Sequence, residues 1–583
     1  RFGSVTNGER NEELITQLFG HRWSGGNALF NLQYQHFDAL SAADRDFSEE
    51  TLAPTDLLPR SRQYAAMLSG RQSLGSSLEV YGNATFVDKE TSRNYTDIRE
   101  TRHSTSATRQ YGLDVGGSIG LMRDWRMSVD GLYSKEKTDF DKVTFPAVPS
   151  CVNGTTCSKQ NYEVKAVELK MDGSLLSLPA GDVKAALGAS YRDEDYLAFF
   201  PADDLRQRFL SKVKAGFAEV AVPILNGDSG VSLAQALTLS AAVRHDDYNE
   251  FGSTTNPRYG ISWVPMTGLN VRAAYSTSFR APSPIERVAT TFAPILASLQ
   301  FSSPEGGTTP ALVVIYNGAP LKPETAHNTT VGFDFTPSSV ADLQVSLDYF
   351  RIDFRNRIST PPFDTGALLR PEVFGPLIQP LADDAAVQSF VAAFVADGGQ
   401  FLDFSGGIVG ARNVVNFQQQ NAARVQQHGF DFNLSKGFEV GSGRIVAHLA
   451  ATYIDEILTS FTAQSVATDI VNTYANPLKL RARADLSWSQ GPWQLFGAVN
   501  YADKHTDTSA IPYGSIDAWT TVDLNATYEP RFARGLSVSL MAENVLDEPP
   551  PFAVGMGLDG IHYDVGNASP LGRFLGIELR KTW

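Results

Sequence analysis

The chain has 583 residues, of which 11% are aromatic and only 19% charged, and its 49 basic and 64 acidic side chains leave a net charge of −15. A soluble surface of this extent would carry more charge, and a nucleic-acid binder would carry basic stripes instead of an acidic balance. No run of 18 apolar residues occurs, so nothing here crosses a membrane as a helix or reads as a surviving secretory signal.

The first long pattern, over 28–37, alternates apolar and polar side chains, which is the period of a strand with two different faces. The next is clearer: Leu78, Val80, Gly82, Ala84 and Phe86 share one face, with Glu79, Tyr81, Asn83 and Thr85 on the other. The glycine-rich run Gly116-Gly-Ser-Ile-Gly120 lies inside such an alternating stretch with no helix after it, so it reads as strand packing and not as a dinucleotide loop. The only two cysteines, Cys151 and Cys157, bracket a polar turn, which suits a small disulfide loop in an oxidising compartment; a zinc site would need two further ligands nearby.

Further strands of the same kind fall at 343–350, 493–501 and 536–543. In the last, Leu536, Val538, Leu540 and Ala542 alternate with Ser537, Ser539, Met541 and Glu543. At about ten residues these strands have the length needed to cross a bilayer at a tilt, longer than the five or six usual in soluble sandwiches. The final stretch, 573–583, places Leu575, Ile577, Leu579 and Trp583 on one face.

Connections alternate between short turns, such as Trp23–Asn27 and Ser73–Ser76, and long segments at 39–60, 91–106, 138–160, 197–211, 247–256, 278–324, 357–421, 456–478, 503–518 and 546–572. The expectation is an all-β, antiparallel, up-and-down transmembrane barrel filling residues 1–583. It has about 22 strands, short periplasmic turns and long extracellular loops, with both chain ends periplasmic. Loops 278–324 and 357–421 stand out by length. Within the second, the run Asp383 to Gly399 has an acidic start, apolar Val387, Phe390, Val391 and Phe394, and a glycine stop, the signature of a short amphipathic helix whose apolar face must be covered.

No enzyme constellation appears: there is no His-Glu-x-x-His, phosphate loop or Gly-x-Ser-x-Gly. No cofactor is expected. The acidic groups Asp246, Asp247 and Glu250, and Glu194, Asp195, Asp203 and Asp204, lack the spacing of a calcium loop, so no metal site is expected. The loop aromatics Phe199, Phe200, Tyr248, Phe251, Phe301, Tyr316, Phe404 and Phe417 are the candidate substrate contacts, because aromatic faces hold sugars, catechols and macrocycles alike.

Five ordered segments resemble the TonB-dependent receptor family: Arg244-His-Asp-Asp-Tyr-Asn-Glu-Phe-Gly252, Asn256-Pro-Arg-Tyr-Gly-Ile-Ser-Trp-Val-Pro265, Val271-Arg-Ala-Ala-Tyr-Ser-Thr-Ser-Phe-Arg-Ala-Pro-Ser-Pro-Ile-Glu286, Leu321-Lys-Pro-Glu-Thr-Ala-His-Asn-Thr-Thr-Val-Gly332 and Ala542-Glu-Asn-Val-Leu-Asp-Glu548. The resemblance implies a bacterial outer-membrane transporter that does no covalent chemistry. Such a transporter takes up a scarce small molecule, by family frequency a ferric siderophore or another iron complex, with cobalamin, oligosaccharides, peptides or aromatic compounds behind it. It also implies a plug domain, which this sequence does not contain and which upstream residues or a separate polypeptide would supply. The other implied partners are TonB, reached through the plug, and outer-membrane lipid and lipopolysaccharide. A plug-less, porin-like channel is the alternative. Phe279 and Arg280 lie in a family-wide segment and are expected to order a loop base.

Overall fold

The computed structural model describes residues 1–583 apart from 97–100, 123, 146–155, 202–203, 228–234, 289–294, 316–320, 362–363, 463, 510–511 and 555–559. Alternation sets its architecture. Along the strand Leu205–Leu225, Val213 and Ala215 are buried while Lys212, Lys214, Gly216 and Ala218 between and beyond them are exposed. Such strands join edge to edge into a closed antiparallel barrel of 22 strands. The ring closes where Phe2–Val5 pairs with Asn11–Trp23 on one side and with the final strand, Phe574–Lys581, on the other. Closure removes the edges that an open sheet of this size would expose.

The outer face leaves apolar side chains uncovered at every second position: Leu113 and Val115, Val167 and Leu169, Ile261 and Trp263, and Leu575, Ile577 and Leu579. A band of this kind is stable only against hydrocarbon. The opposite parity therefore faces the lumen, and there polar groups satisfy one another. Arg272 sends Nε to Asp348 at 3.2 Å and Nη2 to the same carboxylate at 2.5 Å, and also pairs with Asp334. Room for this knot comes from Gly332, where an added Cβ would lie 2.6 Å from the Leu347 carbonyl oxygen and closer still to the Asp348 carboxylate. Gly332→Val is expected to push Asp348 off Arg272 and to destabilise the barrel by about 1–3 kcal/mol. The check is the urea midpoint of the gel-mobility shift of the folded barrel in detergent.

Strand lengths differ around the ring. From Leu78–Thr96 to Leu205–Leu225, six neighbouring strands run to 19, 20, 20, 23, 20 and 21 residues. Across the barrel, Trp493–Ala502 and Trp519–Tyr528 have 10, and Leu536–Glu543 and Phe574–Lys581 have 8. The segments 91–106, 197–211 and 247–256, expected to be long loops, are largely ladder: Thr96 pairs with Thr101, Phe200 with Leu205 and Tyr248 with Gly252. Segment 138–160 is likewise strand up to Phe145 and again from Thr156. Past the bilayer both faces of a strand are wet, so apolar alternation stops while hydrogen-bonded pairing continues.

The two longest connections interlock into one small module at the long-loop end. Ile295–Ser302 and Thr308–Ile315 form a hairpin. Gln400–Asp403 adds parallel to the first of these strands, and Asn413–Asn416 adds parallel to the second. Ile378–Pro380 completes a five-stranded sheet. The helix foreseen in the second loop spans Asp384–Ala396, capped by Asp383, whose carboxylate accepts the Ala386 N–H at 2.8 Å. Its Val387, Phe390, Val391 and Phe394 pack with Leu312 and Val314 on one face of the sheet, so a neighbouring loop supplies the cover. The opposite parity, Ala311 and Val313, packs with Phe301, Phe374, Val415 and Phe417.

Candidate functional site

Six neighbouring strands, from Thr156–Leu178 to Leu269–Arg280, bring lumen-facing side chains together near the long-loop end. Arg192, Arg244, Arg258, Phe217, Tyr248, Ser276 and Ser278 line a cavity of about 640 Å³ with Phe279. A second cavity of about 500 Å³ adjoins it through Ser278 and Phe279, and is lined by Arg280, Glu324, Phe354, Arg357 and Gln427 among others. The rings form one group: Tyr248 lies 5.4 Å from Phe279 and 6.5 Å from Phe251, centroid to centroid.

The charges in these walls are unequally satisfied. Arg244 holds Asp246, with Nε donating to the carboxylate oxygens at 3.0 and 3.1 Å. Arg192 lies 2.5 Å from Glu194, at an angle that leaves its buried Nε without a proper hydrogen bond. Arg258 and Arg357 are exposed into this space and have no carboxylate partner among the described residues. A guanidinium without a carboxylate partner can pair with an anionic group, and an aromatic ring can stack on a flat one.

The segment after Arg280 is fastened over the mouth. Arg280 forks onto Glu286, with both hydrogen bonds at 2.9 Å, and also reaches Glu324 at 2.6 Å. The Ser283 N–H and hydroxyl both donate to Glu286. Burial alone would raise the Glu286 carboxyl, but the Arg280 fork and the Ser283 donors bring it below the usual carboxylate range. Arg287 then pairs with Glu250 at 2.8 Å and stacks over Phe209 and Phe251. Val288 seats against Tyr196 and Ala198. The Ala281-Pro-Ser-Pro-Ile-Glu286 stretch is thus a clamp, and Arg280 has its foreseen place at the loop base, while Phe279 also lines both cavities.

Of the aromatic candidates, Tyr248 and Phe251 gather beside the cavity. Phe200 packs into the Tyr196 cluster, and Phe199 carries the Arg206 guanidinium 4.4 Å above its ring. Phe404 is exposed on a glycine-rich turn of the loop module. Phe301 and Phe417, at 0% and 3% exposure, are core residues of that module: the sheet they anchor is built from two loops distant in sequence. Tyr316 lies outside the described residues, as do Cys151 and Asp203; Cys157, at the start of its strand, is not a free thiol. Within the acidic clusters, Asp195 pairs with Arg208 and Asp204 with Arg206, in addition to the pairs above. The arginines of the cavity were not singled out from sequence. The signal that could have found them is cations at lumen parity on consecutive strands.

The profile of the "TonB dependent receptor-like, beta-barrel" family matches residues 17–545. No curated protein sequence matches the chain. Among solved structures, a ferric enterobactin receptor variant from Pseudomonas aeruginosa (PfeA), in complex with enterobactin, is 13% identical and superposes with a TM-score of 0.69, covering 100% of this chain and 80% of that one. The siderophore receptor PirA from Acinetobacter baumannii gives 0.66 at 12% identity, covering 100% and 79%. The outer membrane transporter YddB from Escherichia coli gives 0.62 at 12%, covering 98% and 76%.

Proposed function

This chain belongs to the TonB-dependent receptor family, and from that premise we propose that it is the barrel of an outer-membrane transporter that captures a ferric siderophore or similar anionic iron complex at its long-loop end. In this reading the long loops face the medium and both chain ends face the periplasm. A plug domain, covalent or separate, closes the lumen and receives TonB. Lipid and lipopolysaccharide surround the apolar band, and a Cys151–Cys157 disulfide ties one loop. The observation that carries the ligand class is the pair of unpartnered guanidiniums, Arg258 and Arg357, beside Tyr248 and Phe279. The enterobactin and siderophore receptors of the same fold lend support.

The double variant Arg258→Glu/Arg357→Glu is expected to weaken binding of ferric enterobactin, used as the probe, by about a hundredfold or more, since each of the two charge-assisted contacts contributes on the order of 1.5–3 kcal/mol. Quenching of intrinsic fluorescence on titration reads this. Unchanged affinity in a folded variant would remove these arginines from the ligand site. A large, steady conductance of the native-membrane protein in a planar bilayer would overturn gated uptake and favour an open channel.

A further inference from the structure

The rings beside the cavity do not end at Phe251. Tyr162, Tyr196 and Phe209 stand on three successive strands, and Tyr196 is the direct cross-strand partner of both others. Its ring lies 6.0 Å from Tyr162, edge-on, and 6.4 Å from Phe209, centroid to centroid. One flat side chain separates this trio from the group of Phe279, Tyr248 and Phe251. The Arg287 guanidinium lies 4.5 Å from the Phe209 centroid and 5.2 Å from that of Phe251, so it stands where a further ring would join the two groups into one run.

Arg287 is held there mainly by charge. The helix Pro284–Arg287 that carries it buries none of its own residues, and Ile285 is 64% exposed. The fasteners are the Arg280 fork on Glu286, the Arg287 pair with Glu250, and Val288, the one buried residue of 283–288, seated on Tyr196 and Ala198. A segment held by ion pairs at a wet mouth, with so little packing of its own, opens at low cost. Beneath it a polar group is left over. Tyr196 is 7% exposed, and its buried hydroxyl makes no hydrogen bond to any described residue. An oxygen acceptor brought to that hydroxyl would recover the free energy that burial without a partner costs. Glu194, on the same face of the strand, already neutralises Arg192, so this part of the wall has no spare positive charge, unlike the part at Arg258 and Arg357.

We propose that segment 281–288 is a displaceable cover, and that the wall beneath it, Tyr162, Tyr196 and Phe209, binds an uncharged aromatic arm of the ligand whose oxygen accepts a hydrogen bond from the Tyr196 hydroxyl. The arm takes the place that Arg287 holds between Phe209 and Phe251, while the charged centre of the same ligand stays on Arg258 and Arg357. This deepens the uptake reading and rests on it for the anionic centre; the arm site rests on the rings and the cover.

The test uses the full-length protein in detergent and isothermal titration calorimetry with two probes, ferric enterobactin and the single flat group 2,3-dihydroxybenzamide. Tyr196→Phe keeps the ring and removes only the unpartnered hydroxyl, so the urea midpoint should hold while both probes bind about tenfold more weakly. Unchanged affinity would overturn the subsite, and so would a lowered urea midpoint, which would assign the hydroxyl to the fold. Spin labels at Ile285→Cys and at Arg206→Cys, an exposed position on the strand that carries Phe209, read the cover. Ferric enterobactin should lengthen their separation by about 5 Å or more, the spacing of one inserted ring. Glu286→Gln should lengthen it with no probe present. No change in either case would overturn the displaceable cover. Tighter binding of 2,3-dihydroxybenzoate than of the amide would overturn the uncharged class. Amide binding that depends on Tyr196, with no binding of ferric enterobactin, would keep the subsite and remove the uptake reading. Ferric enterobactin bound equally by parent and Tyr196→Phe would do the reverse, and binding of neither probe would overturn both.

Discussion

Phe374→Ala is expected to unfold the loop-end module while the barrel stays closed. Phe374 is 1% exposed, stacks on Phe461 at 5.6 Å, meets Phe417 edge-on at 6.4 Å and carries Arg370 4.9 Å above its ring. Truncating a buried phenylalanine costs about 3–5 kcal/mol. The module's two small apolar clusters hold together a five-stranded sheet containing two parallel pairings between distant loops, so a loss of this size is a large share of its local stability. No transmembrane ladder depends on Phe374, and each barrel strand keeps both neighbours. Limited proteolysis should therefore cut the variant within 281–323 and 360–419 under conditions that leave the parent intact, with the heat-dependent gel shift of the barrel unchanged. A protease-resistant module would mean that its fold does not depend on this ring. Loss of the gel shift would mean that the loops support the barrel itself.

Much of this architecture could be read from the residues. A two-residue period needs no partner to be visible, so the strands around Leu78–Phe86 or Leu536–Glu543 declared themselves, and counting them gave the ring. The tops of the tall strands did not, because their outer face is charged: Arg109, Lys137 and Lys212 look like loop residues in a pattern search, although hydrogen-bonded pairing continues through them. The helix at Asp384–Ala396 was legible from its cap and its apolar stripe, whereas the sheet that covers it was not, since Leu312 meets Val414 only through long-range parallel pairing. The same non-locality turned Phe301 and Phe417 from candidate contacts into core. For the cavity, Tyr248 and Phe251 were visible as aromatics near a strand end. Arg192, Arg244 and Arg258 were hidden because polar residues are common at the lumen-facing positions of a barrel, and only the ring order of the strands shows which of them converge.

Asp564→Ala should loosen the loops on the low side of the barrel by about 3–5 kcal/mol, because several buried donors lose the acceptor they share. The Asp564 and His505 side chains are 1% and 4% exposed. His505 Nε2 lies 2.9 Å from one carboxylate oxygen, and its Nδ1 faces the Asp503 carbonyl at 3.3 Å, so both ring nitrogens are turned towards oxygen acceptors. The carboxylate also accepts the N–H groups of Ala475 at 3.0 Å and Gly566 at 2.9 Å, and the Asn567 amide at 2.8 Å. Three separate connections are thereby tied at one anion. Burial alone would raise its pKa, but the His505, Asn567, Ala475 and Gly566 hydrogen bonds outweigh that and bring it to about 2, from an ordinary 3.8. Because the folded value lies below the unfolded one, the stabilisation is complete above about pH 4 and is lost as pH falls through about 2. Over that window it amounts to about 2 kcal/mol. Hydrogen exchange at the Ala475 and Gly566 amides should accordingly accelerate between pH 4 and 2 in the parent. In Asp564→Ala it should already be fast at neutral pH and show no such transition, whereas a parent-like transition in the variant would assign the acid response to other carboxylates.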